Sequence, residues 1–255
     1  MAKQNQHKLN DEIAQFIFEK DRDKESYSES DIAYIMQYAG SGGLAKHGAK
    51  GEGLLYEFYT PDYVAELMWE LAYRHGFDKT GNVLEPSVGT GRILRPAPQY
   101  SKCVGFEINH TSARIAEIAC PEAKIYRGYF ETAFLQAPRH VSRLKDTLTW
   151  LNQYPFSLVI GNPPYGKYKN MYSSYFPTPK MHQIELFFMY YGMQMLKKDG
   201  LLVYLTSSNF MRNGISYNSE KRELEQIADF VDAYRLPPVF NRSEVPTDII
   251  VFRKK

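Results

Sequence analysis

The stretch FSLVIGNPPY, from Phe156 to Tyr165, decides the fold of this chain. FSLVIG is a nearly continuous apolar run, which is typical of a strand buried on both faces of a parallel sheet. Prolines cannot donate a hydrogen bond to a sheet ladder, so the strand must end by Asn162. Pro163 and Pro164 fix their own φ angles and restrict the residue before each of them. The sequence therefore predicts a stiff turn at a strand end, a suitable place to aim side chains.

Strand and helix patterns alternate along much of the chain, in segments of a length typical of α/β units. Crossovers between such strands are right-handed, so the pattern predicts a mostly parallel sheet with helices on both faces. The last two predicted strands, ADFVDAYRL and TDIIVFRK, leave no room for a helix between them and are expected to pair antiparallel near one sheet edge. The other predicted strands are NVLEP (82–86), KCVGFE (102–107), AKIY (123–126), FSLVIG (156–161) and GLLVYLTSS (200–208), and the helices are GRILRPA (91–97), HTSARIAEIAC (110–120) and 184–196, which ends at a KKDG turn.

Further helices are expected before and within this α/β unit. Residues 10–20 and 28–39 have helical spacing of apolar residues, and residues 40–53 are so rich in glycine that a flexible linker is favoured over a phosphate-binding loop. Thr60 is a suitable N-cap for a helix that begins at Pro61 and stops near Gly76. Residues 139–154 are expected to add a surface helix. The domain prediction is a helical extension with a linker at 1–53 and one α/β domain at 54–255.

The composition excludes several classes of protein. The chain has 255 residues and a mass of 29.5 kDa, enough for one large α/β domain with a well-buried core. Its net charge of +2 permits a polyanionic partner without requiring one. Cys103 and Cys120 lack metal-ligand spacing, which predicts no structural zinc and a reduced setting. No signal peptide and no run of roughly 18 apolar residues is found, so a cytoplasmic protein with no membrane partner is expected.

Two acids and a glycine turn point to a nucleoside ligand. VLEPSVGTGRIL (83–94) carries Glu85 at a strand end, followed by Gly89 and Gly91, where open α/β sheets bind their ligands. The segment lacks the third glycine of a dinucleotide site and the GK[ST] of a phosphate loop. Glu85 favours a cation, such as the ammonium of S-adenosylmethionine. Glu107 ends the next strand, where a carboxylate can bind both ribose hydroxyls. An ordinary glycine turn and a helix-capping carboxylate are the alternatives.

Together these motifs resemble the adenine amino-methyltransferases of restriction-modification and mobile-element systems. Their motif is [DNS]PP[YFW], which NPPY at 162–165 matches in full, and the motifs follow the order of the gamma class over about residues 54–254. More narrowly, the chain is similar to the methylase portion of large plasmid and phage DNA methylase proteins. The resemblance implies a Rossmann-like S-adenosylmethionine-dependent methyltransferase fold, with a seven-stranded, mostly parallel sheet and a C-terminal antiparallel hairpin. It also implies methyl transfer to the 6-amino group of adenine in DNA.

The resemblance gives each residue of NPPY a role. The amino lone pair of adenine is delocalised into the ring, so the nitrogen is a poor nucleophile until acceptors take its hydrogens. The side-chain oxygen of Asn162 and the backbone carbonyl of Pro163 are the expected acceptors, and Pro164 helps to hold that carbonyl in place. Tyr165 is expected to stack on the base. The catalytic prediction is therefore Asn162, Pro163, Pro164 and Tyr165.

The cofactor-binding prediction combines these motifs with residues that the resemblance adds. FYTP matches the family's contact with the methionine part of the cofactor, and Phe130 is expected to pack on its adenine. Tyr129 stands where the family usually has an Asp that binds the adenine amino group, so this contact lacks its usual residue. No metal ligand is expected. The full cofactor set is Tyr59, Thr60, Pro61, Glu85, Pro86, Ser87, Gly89, Thr90, Gly91, Glu107, Ile108, Phe130 and Asn162.

The expected partner is double-stranded DNA with a flipped adenine, because an amino group inside a duplex is out of reach. Phe240 matches the family's second stacking aromatic; without the resemblance a hydrophobic hairpin residue would be favoured. KYKNMYSSYFPTPK (167–180) interleaves lysines with tyrosines, which suits phosphates and stacked bases, and a lid that packs its own aromatics is the alternative. The predicted DNA-contacting residues are Tyr165, Phe240, Lys167, Lys169 and Tyr168.

Specificity is the open part of this prediction. Restriction-modification enzymes of this class usually carry a target-recognition domain, and none is expected within 54–255. Specificity is then expected from the loop at 166–182, the N-terminal helices or a separate specificity subunit, or to be low. Methylation of a protein glutamine or an RNA base is one alternative function. A DNA-binding accessory protein without turnover is another.

Overall fold

The computed structural model describes residues 2–39, 58–135, 155–169, 171–211, 218–240 and 246–255, with side chains from residue 6 onward. The predicted linker at 40–53 and the predicted surface helix at 139–154 lie outside the described residues. In the described ranges, no helix combines the length and the apolar character that crossing a membrane requires.

All seven predicted strands are present, and they form one sheet. They are β1 (Asn82–Glu85), β2 (Cys103–Glu107), β3 (Lys124–Arg127), β4 (Phe156–Gly161), β5 (Leu196–Ser207), β6 (Ala228–Leu236) and β7 (Thr247–Lys254). Their order across the sheet is β3-β2-β1-β4-β5-β7-β6. The first five run parallel, and β7 pairs antiparallel with β5 and β6, which confirms the predicted hairpin at one edge. The chain reverses its winding direction between β1 and β4, and this is where open α/β sheets form a ligand crevice.

Helices cover both faces of the sheet. In the described ranges they are α1 (Ala2–Asp23), α2 (Glu29–Ile35), α3 (Asp62–Arg74), α4 (His110–Ala119), α5 (Ile184–Met195) and α6 (Asn218–Ile227). Local sequence explains several ends. Ser28 closes a capping box at the start of α2, and the side chain of Asn109 accepts hydrogen bonds from two backbone amides at the start of α4. Gly76, at φ +99, follows the end of α3 as predicted.

Three expectations about local structure are wrong. GRILRPA forms turns instead of a helix, because Pro96 has no N–H to donate and Pro96 and Pro98 both disfavour helical geometry in the residues before them. The N-cap of α3 is Pro61, one residue after the predicted Thr60. The KKDG turn falls inside β5, where Asp199 has a φ of +62.

The apolar core consists of two layers, one on each face of the sheet. The first layer joins α3 and α4 to the side chains of Val83, Leu158 and Val203, and the second joins α5 to Leu84, Val159 and their neighbours. Consecutive residues of β1 and β4 thus pack on opposite faces, as expected for buried parallel strands.

The N-terminal helices belong to the first of these layers. Ile13 and Ile35 are fully buried in the cluster that contains the sheet residues. The guanidinium of Arg114 on α4 also binds both carboxylate oxygens of Asp21 on α1, with N···O distances of 2.6 and 2.8 Å. Helices α1 and α2 are therefore packed on the α/β unit through apolar contacts and a bidentate ion pair.

We expect Ile13→Ala to lower the free energy of unfolding by about 2–5 kcal/mol, because it leaves a cavity in a layer shared with the sheet. Phe18→Ala on the same helix is the matched control, since that side chain is 61% exposed and its loss should cost no more than about 0.5 kcal/mol. Urea unfolding followed by circular dichroism measures both. Separate transitions for α1 and the sheet, or equal effects of the two variants, would contradict the shared core.

Candidate functional site

A cavity that is partly open to solvent lies where β1 and β4 end. Three segments that are far apart in sequence meet there: the residues before α3, the glycine loop after β1 and the first residue after β4. Seven of the predicted cofactor residues line it together with four others. The lining residues are Phe58, Tyr59, Thr60, Glu85, Ser87, Val88, Gly89, Thr90, Arg92, Ile93 and Asn162.

Glu107 holds the glycine loop in place. One oxygen of its carboxylate accepts a hydrogen bond from the backbone N–H of Gly89 at 2.9 Å, and the other accepts from Asn109 N–H at 2.7 Å. A carboxylate has about four acceptor positions, and these two amides take one position on each oxygen. The ribose contact itself stays a prediction. Glu107 also has a structural role, because its carboxylate links the end of β2 to the loop after β1.

Both glycines of the loop adopt positive φ angles, +55 at Gly89 and +84 at Gly91. A Cβ on Gly89 would lie 3.0 Å from the ring of Tyr59, whose hydroxyl is 2.6 Å from the hydroxyl of Ser112. A Cβ on Gly91 would lie 3.2 Å from the Cα of Ala116 on α4. Gly91 is therefore needed for close packing of α4 beneath the loop, whereas Gly89 lines the cavity.

Glu85 lies at the wall of the cavity and is 1% exposed. Burial raises the pKa of its carboxyl well above the usual value of 4.5, and the nearby charge of Glu107 adds to that rise. Its Oε2 atom is buried and has no hydrogen-bond partner among the described residues. A buried carboxylate without a partner is costly, and a cationic ligand would remove that cost. The predicted ammonium of S-adenosylmethionine fits these properties.

The side chain of Asn162 is engaged at both ends. Its amide nitrogen donates to the backbone carbonyl of Phe58 at 3.0 Å, and its oxygen accepts from the hydroxyl of Tyr165 at 2.6 Å. Ser87 also donates to the backbone carbonyl of Asn162 at 3.2 Å. Burial raises the pKa of Tyr165 far above its usual value of 10.0, so its hydroxyl stays a donor. The predicted catalytic oxygen of Asn162 thus already accepts one hydrogen bond from its own motif.

The predicted DNA-contacting residues occupy two different environments. Lys167 and Lys169 are exposed. Phe240 is 8% exposed and its ring centroid lies 5.1 Å from that of Phe58. Tyr168 stacks on Phe187 with ring centroids 4.4 Å apart, which is the packing that the lid alternative describes. A contact of these residues with DNA stays a prediction.

Other predicted cofactor residues lie around the cavity without lining it. Ile108 is 37% exposed at the end of β2, and Phe130 is 1% exposed, packed against Phe106 and Phe188. Tyr129 caps the short 3-10 helix Phe130–Phe134, and its ring meets that of Tyr172 edge to face at 5.2 Å. Pro61 and Pro86 each adjoin a cavity residue in sequence. Their roles stay predictions.

Four cavity residues were missed from the sequence, namely Phe58, Val88, Arg92 and Ile93, and two of them have polar groups near the site. Phe58 contributes its backbone carbonyl to Asn162, and a backbone contribution leaves no trace in residue type. Arg92 did carry a signal, because a charged side chain directly after Gly91 in a loop at strand ends is a candidate ligand-binding residue.

The sequence of the chain is similar to those of several known proteins. A family model described as Eco57I restriction-modification methylase matches residues 101–236. The chain is 27% identical over 223 residues to the defense against restriction protein B of Escherichia phage P1, covering 86% of this chain and 9% of that protein. It is 29% identical over 111 residues to the type II methyltransferase M.CvrRI of Paramecium bursaria Chlorella virus XZ-6E, covering 42% of this chain and 24% of that one.

Solved structures share the fold. The methyltransferase subunit of a type I restriction-modification system from Streptococcus thermophilus superposes with a TM-score of 0.63 at 22% identity, covering 89% of this chain and 48% of that one. The predicted Rossmann-like methyltransferase fold is thereby confirmed. The family match on this fold also confirms the predicted cofactor, S-adenosylmethionine. The chain spans less than a quarter of the length of either curated relative.

We expect Glu85→Gln to raise the free energy of unfolding and to weaken binding of S-adenosylhomocysteine at least about tenfold. Because the folded-state pKa of Glu85 is raised, the native protein loses stability as pH rises from 4.5 through that pKa, and the glutamine variant does not. The stability difference should therefore be larger at about pH 8 than at about pH 4.5. Denaturant unfolding and calorimetry measure the two effects. A stability difference that is independent of pH would show that Glu85 is not a buried titrating acid.

Proposed function

The chain belongs to the family of Eco57I restriction-modification methylases, and we propose that it transfers a methyl group from S-adenosylmethionine to the 6-amino group of an adenine flipped out of double-stranded DNA. One observation carries this proposal: Asn162 of NPPY lines the same cavity as Glu85 and the glycine loop. A single side chain thus adjoins both the expected methyl donor and the expected methyl acceptor.

The chemistry of the transfer requires positioning more than acid or base strength. When bound, S-adenosylmethionine supplies an electrophilic methyl carbon, whose bond to sulfur breaks, leaving the electron pair on sulfur, as the adenine nitrogen bonds to it. Asn162 Oδ1 and the carbonyl of Pro163 accept the two amino hydrogens and favour a tetrahedral nitrogen with its lone pair free. The methylated nitrogen then releases one proton to water.

Entry of the base exchanges the hydrogen-bond donor on Asn162, which is the hydroxyl of Tyr165 before the base enters. Asn162 Oδ1 accepts from the Tyr165 hydroxyl at 2.6 Å, so the amino group of adenine competes with that hydroxyl. When the Tyr165 ring turns to stack on the base, its hydroxyl moves away from Asn162, and Oδ1 of Asn162 becomes available to the amino group of adenine. The hydrogen bond from Asn162 to the Phe58 carbonyl keeps the amide oriented during this exchange.

The likeness to a defense against restriction protein favours a second candidate function, in which the chain serves to protect DNA from restriction. Protection through adenine methylation requires NPPY, whereas protection as an accessory protein does not. Likewise, the likeness to a type I methyltransferase subunit supports a separate specificity subunit as a partner. The exposed Lys167 and Lys169 suit contacts with DNA phosphates in either case.

We expect Asn162→Ala to lower the rate of DNA methylation by about a hundredfold or more, because an acceptor that acts in the transition state is removed. Mass spectrometry of nucleosides from treated DNA measures the product and distinguishes N6-methyladenine from methylated cytosine. Parallel reactions with RNA and protein test the other substrate classes. An unchanged rate in the variant, or a methyl group found only on RNA or protein, would overturn the proposal. Protection from restriction that persists in this variant would support the accessory function.

Tyr165 offers a matched pair of variants. Tyr165→Phe keeps the ring and removes the hydroxyl that competes for Asn162 Oδ1, so methylation should stay within a few-fold of the native rate or rise. Tyr165→Ala removes the stacking surface and should weaken capture of the base by about 1–3 kcal/mol, or roughly 5- to 150-fold. Steady-state methylation and fluorescence of 2-aminopurine at the target adenine measure both. Equal losses in the two variants would assign the role to the hydroxyl instead of the ring.

A further inference from the structure

In the part of the chain that the structure describes, three buried polar atoms without a hydrogen-bond partner belong to residues that line the cavity: Glu85 Oε2, Thr90 Oγ1 and Arg92 Nε. Buried polar atoms in native proteins nearly always have partners, and each exception calls for an explanation. These three carry different chemistry: an acid, a neutral hydroxyl and a guanidinium N–H donor. Their grouping around one cavity indicates a ligand with both a positive and a negative end.

Arg92 is fixed from the outside of the cavity. One terminal nitrogen donates to Asp62 at 3.2 Å, and the other donates to the backbone carbonyl of Met36 at the end of α2. Asp62 is 58% exposed, so solvent screens much of its charge and leaves the guanidinium only partly neutralised. Each terminal nitrogen makes a hydrogen bond to the protein, and within the described ranges the buried Nε has no hydrogen-bond partner.

The amino-acid end of S-adenosylmethionine matches this arrangement. It carries an ammonium and a carboxylate on one carbon, and Glu85 is the expected partner of the ammonium. The carboxylate then needs donors nearby, and guanidinium N–H groups bind carboxylates through short, charge-assisted hydrogen bonds. The hydroxyl of Thr90 can donate to the same group, since it is buried and has no partner in the described part of the chain.

We propose that Arg92 binds the carboxylate of the cofactor, with Thr90 as a second donor, and thereby selects ligands that carry the complete amino-acid end. This inference rests on the proposed function and adds a specificity-determining residue to its cofactor site. It also assigns the reason for a charged residue directly after Gly91, where the chain packs tightly on α4.

Isothermal titration in the absence of DNA tests this assignment with two probes. S-adenosylhomocysteine carries the amino-acid end, and 5′-deoxy-5′-methylthioadenosine keeps the nucleoside and the sulfur without it. Arg92→Gln should weaken the first at least about tenfold, the usual effect of removing a hydrogen bond to a charged group, and leave the second within about twofold. Arg92→Lys should recover part of the loss. Asp62→Asn, which keeps Arg92 and removes its carboxylate partner, should leave both affinities within about twofold.

Three results would overturn the assignment. Equal losses for both probes in Arg92→Gln would mean that Arg92 acts only through the packing of the loop and α2. Unchanged affinity for S-adenosylhomocysteine in that variant would mean that the carboxylate is bound elsewhere. A native protein that binds the two probes equally well would have no carboxylate subsite. Because these measurements use no DNA, a failure of adenine methylation leaves their outcome interpretable.

Discussion

The parallel pairing of β1 with β4 is the contact on which the site depends. Leu84 pairs with Val159, so both strands end side by side, one with Glu85 and the other with Gly161 before Asn162. A Cβ on Gly161 would lie only 3.7 Å from Cγ of Glu85, which shows how closely the two strand ends approach. The strands are held by continuous apolar runs buried on both faces, and the acid and the amide at their ends are therefore set by the packing of the sheet.

The same packing sets the electrostatics of the site. Glu85 is buried because it ends a strand at the centre of the sheet, and Glu107 stands one strand away with its carboxylate turned to two backbone amides. In the part of the chain that the structure describes, Glu107 is hydrogen-bonded to the protein, whereas Oε2 of Glu85 has no hydrogen-bond partner. Buried Glu85 therefore gives the cavity an acid that a cationic ligand would stabilise, whereas the carboxylate of Glu107 is held by backbone amides.

The sequence predicts this framework well wherever apolar pattern determines structure. All seven strands follow from short apolar runs, and Asn162 and Glu85 follow from their positions at strand ends. Helix α6 was not predicted, because its segment NSEKRELEQI is largely polar and buries only Glu220 and Leu224. The tyrosine hydroxyl on Asn162 and the Phe58 carbonyl could not be predicted, since both depend on distances set by tertiary packing.

Arg92 connects the end of helix α2 to the cavity at the ends of β1 and β4. Its guanidinium donates a hydrogen bond to the backbone carbonyl of Met36, the C-cap of α2, and the same residue lines the cavity. If Arg92 also binds the carboxylate of the cofactor as proposed, the packing of α2 and the binding of the cofactor are coupled, and such coupling is reciprocal by thermodynamic necessity. A protein partner that binds α1 and α2 would then change the affinity of the cavity for the methyl donor. Binding of the methyl donor would in turn change the affinity of those helices for the partner. The N-terminal helices would then form an allosteric site that regulates cofactor binding.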